Sequence, residues 1–350
     1  MASKSGANSG IILKPYLTYD TPSAPSTNDK IKIDSEGFSR NSTELTENPI
    51  GGNVIMKTTS EIGDDDPGGP LTKTLRTNDA FNAAIMNLLG TETVTNVNTA
   101  AILYEHSAVA NTTSIVNYLL WAKETSSATV AEYKNALMTD LALEFNLNDF
   151  VKATGTFKAS QRLITGTTSS NANIQSATEP TNYPFIFRDV DYFWINAQAG
   201  AAVQGSDALA ITKASVSLSR PMEYVDEARG TAGKAAPRVS GEPPFIGSIT
   251  VTCKEKDADT FFTAYDAGTE YKASLRVQGP TISGAYKHFF RIDFPRLKIV
   301  TEPQYNLSSA SVNPYTIEFQ CMAALSAPTG MNSVYPFVCL GNDRSTKYLA

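Results

Sequence analysis

Residues 248–268 read SITVTCKEKDADTFFTAYDAG, and residues 71–90 read LTKTLRTNDAFNAAIMNLLG. Each is a short alternating run, then a helical stretch, then a glycine. In the first-half copy, Asn78 or Asp79 can cap a helix over 78–89. Phe81, Ile85, Leu88 and Leu89 fall at helical spacing, and Gly90 is a natural stop. The second copy predicts a helix near 257–267 ending at Gly268.

The segments around the two copies follow the same order. The first half offers strands in NVIMKTTSE (53–61), LTKTLR, AAILYEHS, SIVNYLLWAKE, ALMTDLALEFNLND and VKATGTFKAS. The second offers ALAITKASVSLS, SITVTC, YKASLRVQ, HFFRIDFPRLKIVTE and PYTIEFQCMAA. ATGTFKA at 153–159 and YTIEFQC at 315–321 space Thr, Phe and a small residue alike, which puts Phe157 and Phe319 in the cores. Self-similarity at so long a period predicts a duplication. The expected fold is mainly β, sandwich- or barrel-like, as two similar domains each with one flanking α-helix. Their predicted bounds are 29–164 and 183–325. Residues 1–28 read as an N-terminal arm, the small polar stretch 165–182 as a linker, and 326–350 as a C-terminal tail.

Composition narrows the function. The chain of 350 residues carries a net charge of −6, a pI near 5.1 and only 18% charged residues. An acidic, charge-poor surface does not grip nucleic acid, which needs clustered Lys and Arg. It suits surfaces covered by other subunits. No apolar run is long enough to span a bilayer, so no membrane partner is expected, and MASKSGANSG lacks the apolar core of a secretory signal. The three cysteines, Cys253, Cys321 and Cys339, are widely spaced, and Cys253 and Cys321, in strand-like patterns, read as small core residues in preference to a disulfide.

Catalytic patterns are missing. His106 and His288 have no ligand cluster around them, so no metal or cofactor is expected. AGKAA at 232–236 lacks the rest of a phosphate loop. In FIFRDVDYFWINA (185–197), Trp194 with Asp189 and Asp191 admits a carbohydrate-binding or hydrolytic alternative. The reading adopted is a buried core strand.

Two features point to self-assembly. A sheet edge carries unpaired N–H and C=O groups, and a closed ring of repeated domains satisfies them. The loop 220–247 is long and mixes Arg220, Glu223, Asp226, Glu227, Arg229, Lys234 and Arg238 with Met222 and Tyr224, a composition suited to docking on another subunit. A related first-half loop near 57–70 holds Asp64, Asp65 and Asp66. Asp140, Glu144 and Asp293 alternate with apolar neighbours and are expected to point away from the core.

The layout from EGFSRNSTELTENPIGGNVIMKTTSEIGDDDPGGPLTKTLRTNDAFNAAIMNLLG (36–90) through the meander to PYTIEFQCMAA resembles the tail tube, or major tail, proteins of long-tailed bacteriophages. The resemblance covers about residues 30–325. It implies stacked rings of six-fold or pseudo-six-fold symmetry, a channel for double-stranded DNA, and long loops reaching the adjacent ring. Those loops map onto 220–247 and about 57–70. With two tube domains per chain, a trimeric ring is preferred and a hexamer is the alternative. The implied partners are stacked copies of the ring and other tail proteins: tape measure, terminator and distal tail. DNA would pass without specific binding. Asp140, Glu144 and Asp293 become candidates for the channel wall. The implied location is the virion tail, and the host cytoplasm during assembly.

Overall fold

The computed structural model describes residues 10–47, 59–98, 100, 102–111, 115, 117–125, 129–164, 167–225, 234–241, 245–254, 258–305 and 314–349. It is mainly β. The first half runs β1 (Ile11–Tyr16), β2 (Ser35–Glu36), β3 (Ser42–Glu47), β4 (Thr59–Asp65), β5 (Gly68–Thr74), α1 (Phe81–Leu89), β6 (Gly90–Asn96) and β7 (Tyr104–Ala110). It continues with β8 (Tyr118–Glu124), β9 (Val130–Asn146), β10 (Lys152–Lys158), β11 (Gln161–Leu163) and α2 (Asn171–Ser176). The second half runs β12 (Val190–Ala197), β13 (Ile211–Ser219), β14 (Met222–Glu223), β15 (Arg238–Val239), β16 (Ile246–Lys254) and α3 (Ala258–Asp266). It ends with β17 (Glu270–Ser283), β18 (Tyr286–Ile299), β19 (Gln304–Tyr305), β20 (Pro314–Cys321) and β21 (Phe337–Asn342).

The strand pairings repeat. In the first half the order across the sheet is β1-β8-β9-β10-β5-β2. In the second it is β12-β17-β18-β20-β16-β13. Each half also has its helix between the same two strand positions: α1 follows β5, and α3 follows β16. Phe157 on β10 packs against Phe81 of α1, ring centres 6.4 Å apart, as Phe319 on β20 packs against Phe261 of α3 at 6.0 Å.

The helices obey their local sequence. Asp79 accepts the first-turn N–H of Phe81 at 2.8 Å and is ion-paired with Lys73, both side chains buried. Gly90 closes α1 at φ 99°, a left-handed conformation that costs glycine little. Every residue of α1 is buried, Asn82 and Asn87 included. A helix with apolar residues on all sides has no wet face and must be enclosed. Asn87 donates to the Asn117 carbonyl at 2.7 Å and accepts the Met138 N–H at 3.1 Å, which ties α1 to β9.

The halves share one sheet and one core. β13 pairs with β9 from Lys213↔Asn146 to Ser219↔Asp140 while also pairing with β16, so the sheet crosses the midpoint of the chain unbroken. The main apolar cluster contains Leu141 and Phe145 beside Val216, Ile249 and Ile317.

Several expectations change. Within the predicted arm, β1 pairs along β8 and buries Ile12 and Leu13 completely. The run GIILKPY has the apolar content to cover that edge. The predicted linker contains α2, where Ser170 and Asn173 form a reciprocal capping box and Ile174 is buried against Ile12 and Val130. The predicted tail contains β21, which pairs with β18 on one side and β7 on the other. Beyond it, Glu92 accepts the backbone N–H groups of Tyr348 at 2.9 Å and Leu349 at 2.7 Å. His106 lies 2.8 Å from the same carboxylate and 2.8 Å from the Arg344 carbonyl.

The stretch 185–197 is not a buried core strand. Only Phe185 and Phe193 are buried; the rest of β12 lies half-buried or exposed beside a cleft, because among the described strands β12 ladders with β17 alone and its other side carries a single bridge, Trp194↔Ala208. Strand residues 53–58 lie outside the described residues.

Candidate assembly surface

Strand alternation puts apolar residues on one face of the central sheet and polar ones on the other. On β5, β10, β9, β13, β16 and β20 the inward residues include Leu71, Ala153, Leu143, Val216, Val251 and Ile317, all without solvent exposure. The other face carries small hydroxyls in register. Thr72 lies opposite Thr154, Thr154 opposite Ala142, Ala142 opposite Ser217, Ser217 opposite Ser248, and Ser248 opposite Gln320. The adjacent row runs Thr74, Lys152, Glu144, Ser215, Thr250 and Glu318. The Thr72 and Thr154 hydroxyls are 3.0 Å apart, so the row is close enough to hydrogen-bond across strands. This face spans six strands from both halves and carries Lys152, Glu144 and Glu318 among Ser and Thr, with no cluster of Lys and Arg in these rows.

The two long loops leave from one end of this sheet. The chain departs β13 after Ser219, opposite Asp140, and the β3–β4 hairpin joins the start of β5 through a Ser39↔Gly68 bridge. Lys234 Nζ is 3.9 Å from Asp66 Oδ1, so the second-half loop touches the first-half one.

The family described as phage tail tube protein matches residues 6–321 of the chain. The chain belongs to that family. No curated protein matches it. As a tail tube protein it is a structural component of the virion tail. No helix among its described residues is long and apolar enough to cross a membrane.

The tail tube protein places the sequence-predicted residues in three groups. Asp140 and Glu144 lie on the polar face. Asp140 is half-buried and accepts from Ser219 and Thr139, each at 2.7 Å, and Glu144 is exposed. Asp293 is a correction. It is buried, with Arg291 Nε donating to it at 2.9 Å, because β21 and β17 enclose its part of β18. Burial raises its pKa, and Arg291 and Ser274 partly oppose that.

The loop residues also divide. Glu223 and Arg238 are exposed and opposite one another on β14 and β15, and Asp66 is exposed. Asp65 is ion-paired with Arg40 at 2.8 Å. Arg220, Met222 and Tyr224 are corrections, since all three are buried in their own chain. The loop base folds back over β8 and β9, where Met222 and Tyr224 cluster with Tyr16, Tyr118, Leu120 and Leu137. Tyr224 donates to the Asn135 carbonyl, and burial raises its pKa. Arg220 lies near Gly90, and burial lowers its pKa to about 10. Asp226, Glu227 and Arg229 lie outside the described residues, as does the side chain of Asp64.

Both acids of the carbohydrate alternative have local partners. Asp189 accepts the Ile186 N–H at 3.1 Å in a short turn, and Asp191 is 3.8 Å from Arg276. Trp194 stacks on Tyr192 with ring centres 3.6 Å apart.

The sequence reading missed the hydroxyl rows of the tail tube protein. KASVSLS, SITVT and KATGT all alternate Ser or Thr with apolar residues. That alternation is the signal from which the rows are legible. β21 lies beyond the span that the family matches.

Proposed function

We propose that this chain polymerises as stacked rings into the phage tail tube, with the hydroxyl-rich sheet face as the wall of the channel that carries double-stranded DNA. The observation behind this reading is the polar face itself, continuous through six strands of both halves. A DNA conduit needs a surface that does not hold phosphates. Small hydroxyls with spaced charges, Lys152 beside Asp140, Glu144 and Glu318, present no cationic groove, and the chain's net charge of −6 opposes adhesion.

The duplicated strand order supports a pseudo-six-fold reading of the symmetry. With 29–164 and 183–325 as two tube units per chain, three chains close a pseudo-six-fold ring, a hexamer of chains being the alternative. The exposed loop residues Glu223, Arg238 and Asp66 and the half-buried Lys234 and Asp65, with Asp64, Asp226, Glu227 and Arg229, form the inter-ring contact. The ring's other partners are further tail proteins. Assembly in the host cytoplasm is the expectation.

Cryo-electron microscopy of the concentrated protein tests this. Hollow tubes with the Ser215 and Ser217 strand facing the channel support it. A protein that stays monomeric at every concentration, or tubes with that face outward, overturn it.

A further inference from the structure

We propose that a cleft between the β9–β10 turn and β12 binds an uncharged saccharide, with a pyranose ring against Tyr192 and Trp194. This adds a binding activity to the chain and does not depend on the tube reading. The cleft has a volume of about 910 Å³, within the range of small-molecule sites. Tyr192 and Trp194 line it as a stack, ring centres 3.6 Å apart and planes within 7° of each other, and both are half-buried. The turn supplies Leu147, 58% exposed, and Phe150, 43% exposed. That turn is held in place. Phe150 bridges to Ile186, Phe187 donates its N–H to the Asp149 carbonyl at 2.9 Å, and Val151 donates to the Phe185 carbonyl at 2.9 Å. The cleft is therefore preformed, which spares a ligand the cost of ordering it.

The polar groups narrow the ligand. Asp149, Asp191 and Arg188 line the cleft, and Arg276 stands 3.8 Å from Asp191. Two carboxylates and two guanidinium groups sum to no net charge. An ion of either sign would gain from one pair and lose to the other, so the site favours a neutral ligand. Asn148 joins them. Carboxylate, guanidinium and amide are planar groups with paired acceptors or donors, which match the adjacent hydroxyls of a sugar. The aromatic stack matches its other side. The negative face of an aromatic ring attracts the outward C–H groups of a pyranose, and the covered apolar area leaves water. A purely apolar ligand would cover the polar rim without pairing it. An added β-strand is disfavoured as well. β12 shifts register between Val190 and Tyr192, which makes Asp191 the extra residue of a bulge. A bulge and a charge on an edge both resist strand addition. The same bulge brings Asp191 and Tyr192, which a regular strand points to opposite faces, onto one cleft.

The test uses the full chain on an array of neutral hexose and N-acetylhexosamine oligosaccharides, with uronic-acid and amine-bearing ones beside them. The chain has two tryptophans, and Trp121 is fully buried, so a ligand in the cleft alters the emission of Trp194. Retention of at least one neutral saccharide is expected, with a shifted emission on titration and a Kd of about 1 mM or tighter. Trp194→Ala is expected to weaken binding at least tenfold at the wild-type melting temperature, and Trp194→Phe to keep most of it. If Trp194→Ala does not fold, the emission of the wild-type chain decides. The inference is overturned by a chain that retains no saccharide, or only charged ones. It is equally overturned by binding that leaves the emission unchanged, or by a folded Trp194→Ala variant that binds as tightly as the wild type.

Discussion

Val216 of β13 lies opposite Leu143 of β9, both with no solvent exposure, in the ladder that joins the two halves. A pair at that place couples the halves energetically. Leu143→Ala is expected to cost about 2–5 kcal/mol. Calorimetry should show one transition moved down as a whole. Two separated transitions, with only one displaced, would mean that the halves melt independently.

Phe157→Ala and Phe319→Ala are each expected to cost about 3–5 kcal/mol, since both rings are buried at the helix contacts of their half. Guanidinium unfolding measures both. A wild-type midpoint in either variant contradicts the packing.

The loop can be shortened only where it leaves the core alone. Tyr224 and Ala235 are buried, and Ala235 donates its N–H to the Val225 carbonyl at 2.8 Å. Replacing 226–233 by a short Gly-Ser link should therefore preserve the melting temperature and abolish ring stacking. Normal tubes from that variant would remove the loop from the inter-ring contact.

Burial pushes the Cys339 thiol up to about 12. The thiolate is the reactive form, so at pH 8 about one molecule in 10⁴ carries it. Raising the pH increases the fraction tenfold per unit until it nears 12. Cys339 should resist iodoacetamide in the folded protein at pH 8 and react on denaturation, as read by peptide mass spectrometry. Fast labelling of the native protein would place β21 outside the sheet.

Ser215→Arg with Ser217→Arg adds four charges to each pair of chains on the proposed channel wall. Tubes of this variant should retain double-stranded DNA at low salt and release it as salt rises, while wild-type tubes release it throughout. Co-sedimentation measures both. Identical release by the two proteins would move that face away from the DNA.

Much of the fold was legible because its signals are local. Gly90 and Gly268 stop their helices, and KASVSLS declares its two faces by alternation alone. What stayed hidden depends on distant partners. PFVCLG is six residues of unbroken apolarity with no period, and only the gap between β7 and β18 makes it a strand. Asp293 alternates correctly, yet β21 covers it. Tyr192 and Trp194 read as core because aromatic content signals burial, whereas whether a cleft opens beside them depends on the β9–β10 turn. For the candidate assembly surface, Asp140 and Glu144 were found on the polar face, but Arg220, Met222 and Tyr224 were not distinguishable from loop residues. Met222 and Tyr224 are buried against β8 and β9, and Arg220 lies beside Gly90, all far away in sequence.

The C-terminal closure also sets a clock. His106 and Arg344, in contact in the finished sheet, are 238 positions apart. A ribosome adding about 5–20 residues per second leaves the β7 border without its mate for roughly 10–50 s. Throughout that interval a nascent chain exposes a strand that a neighbouring nascent chain could seize, so crowded polysomes are where this protein is most vulnerable to mispairing.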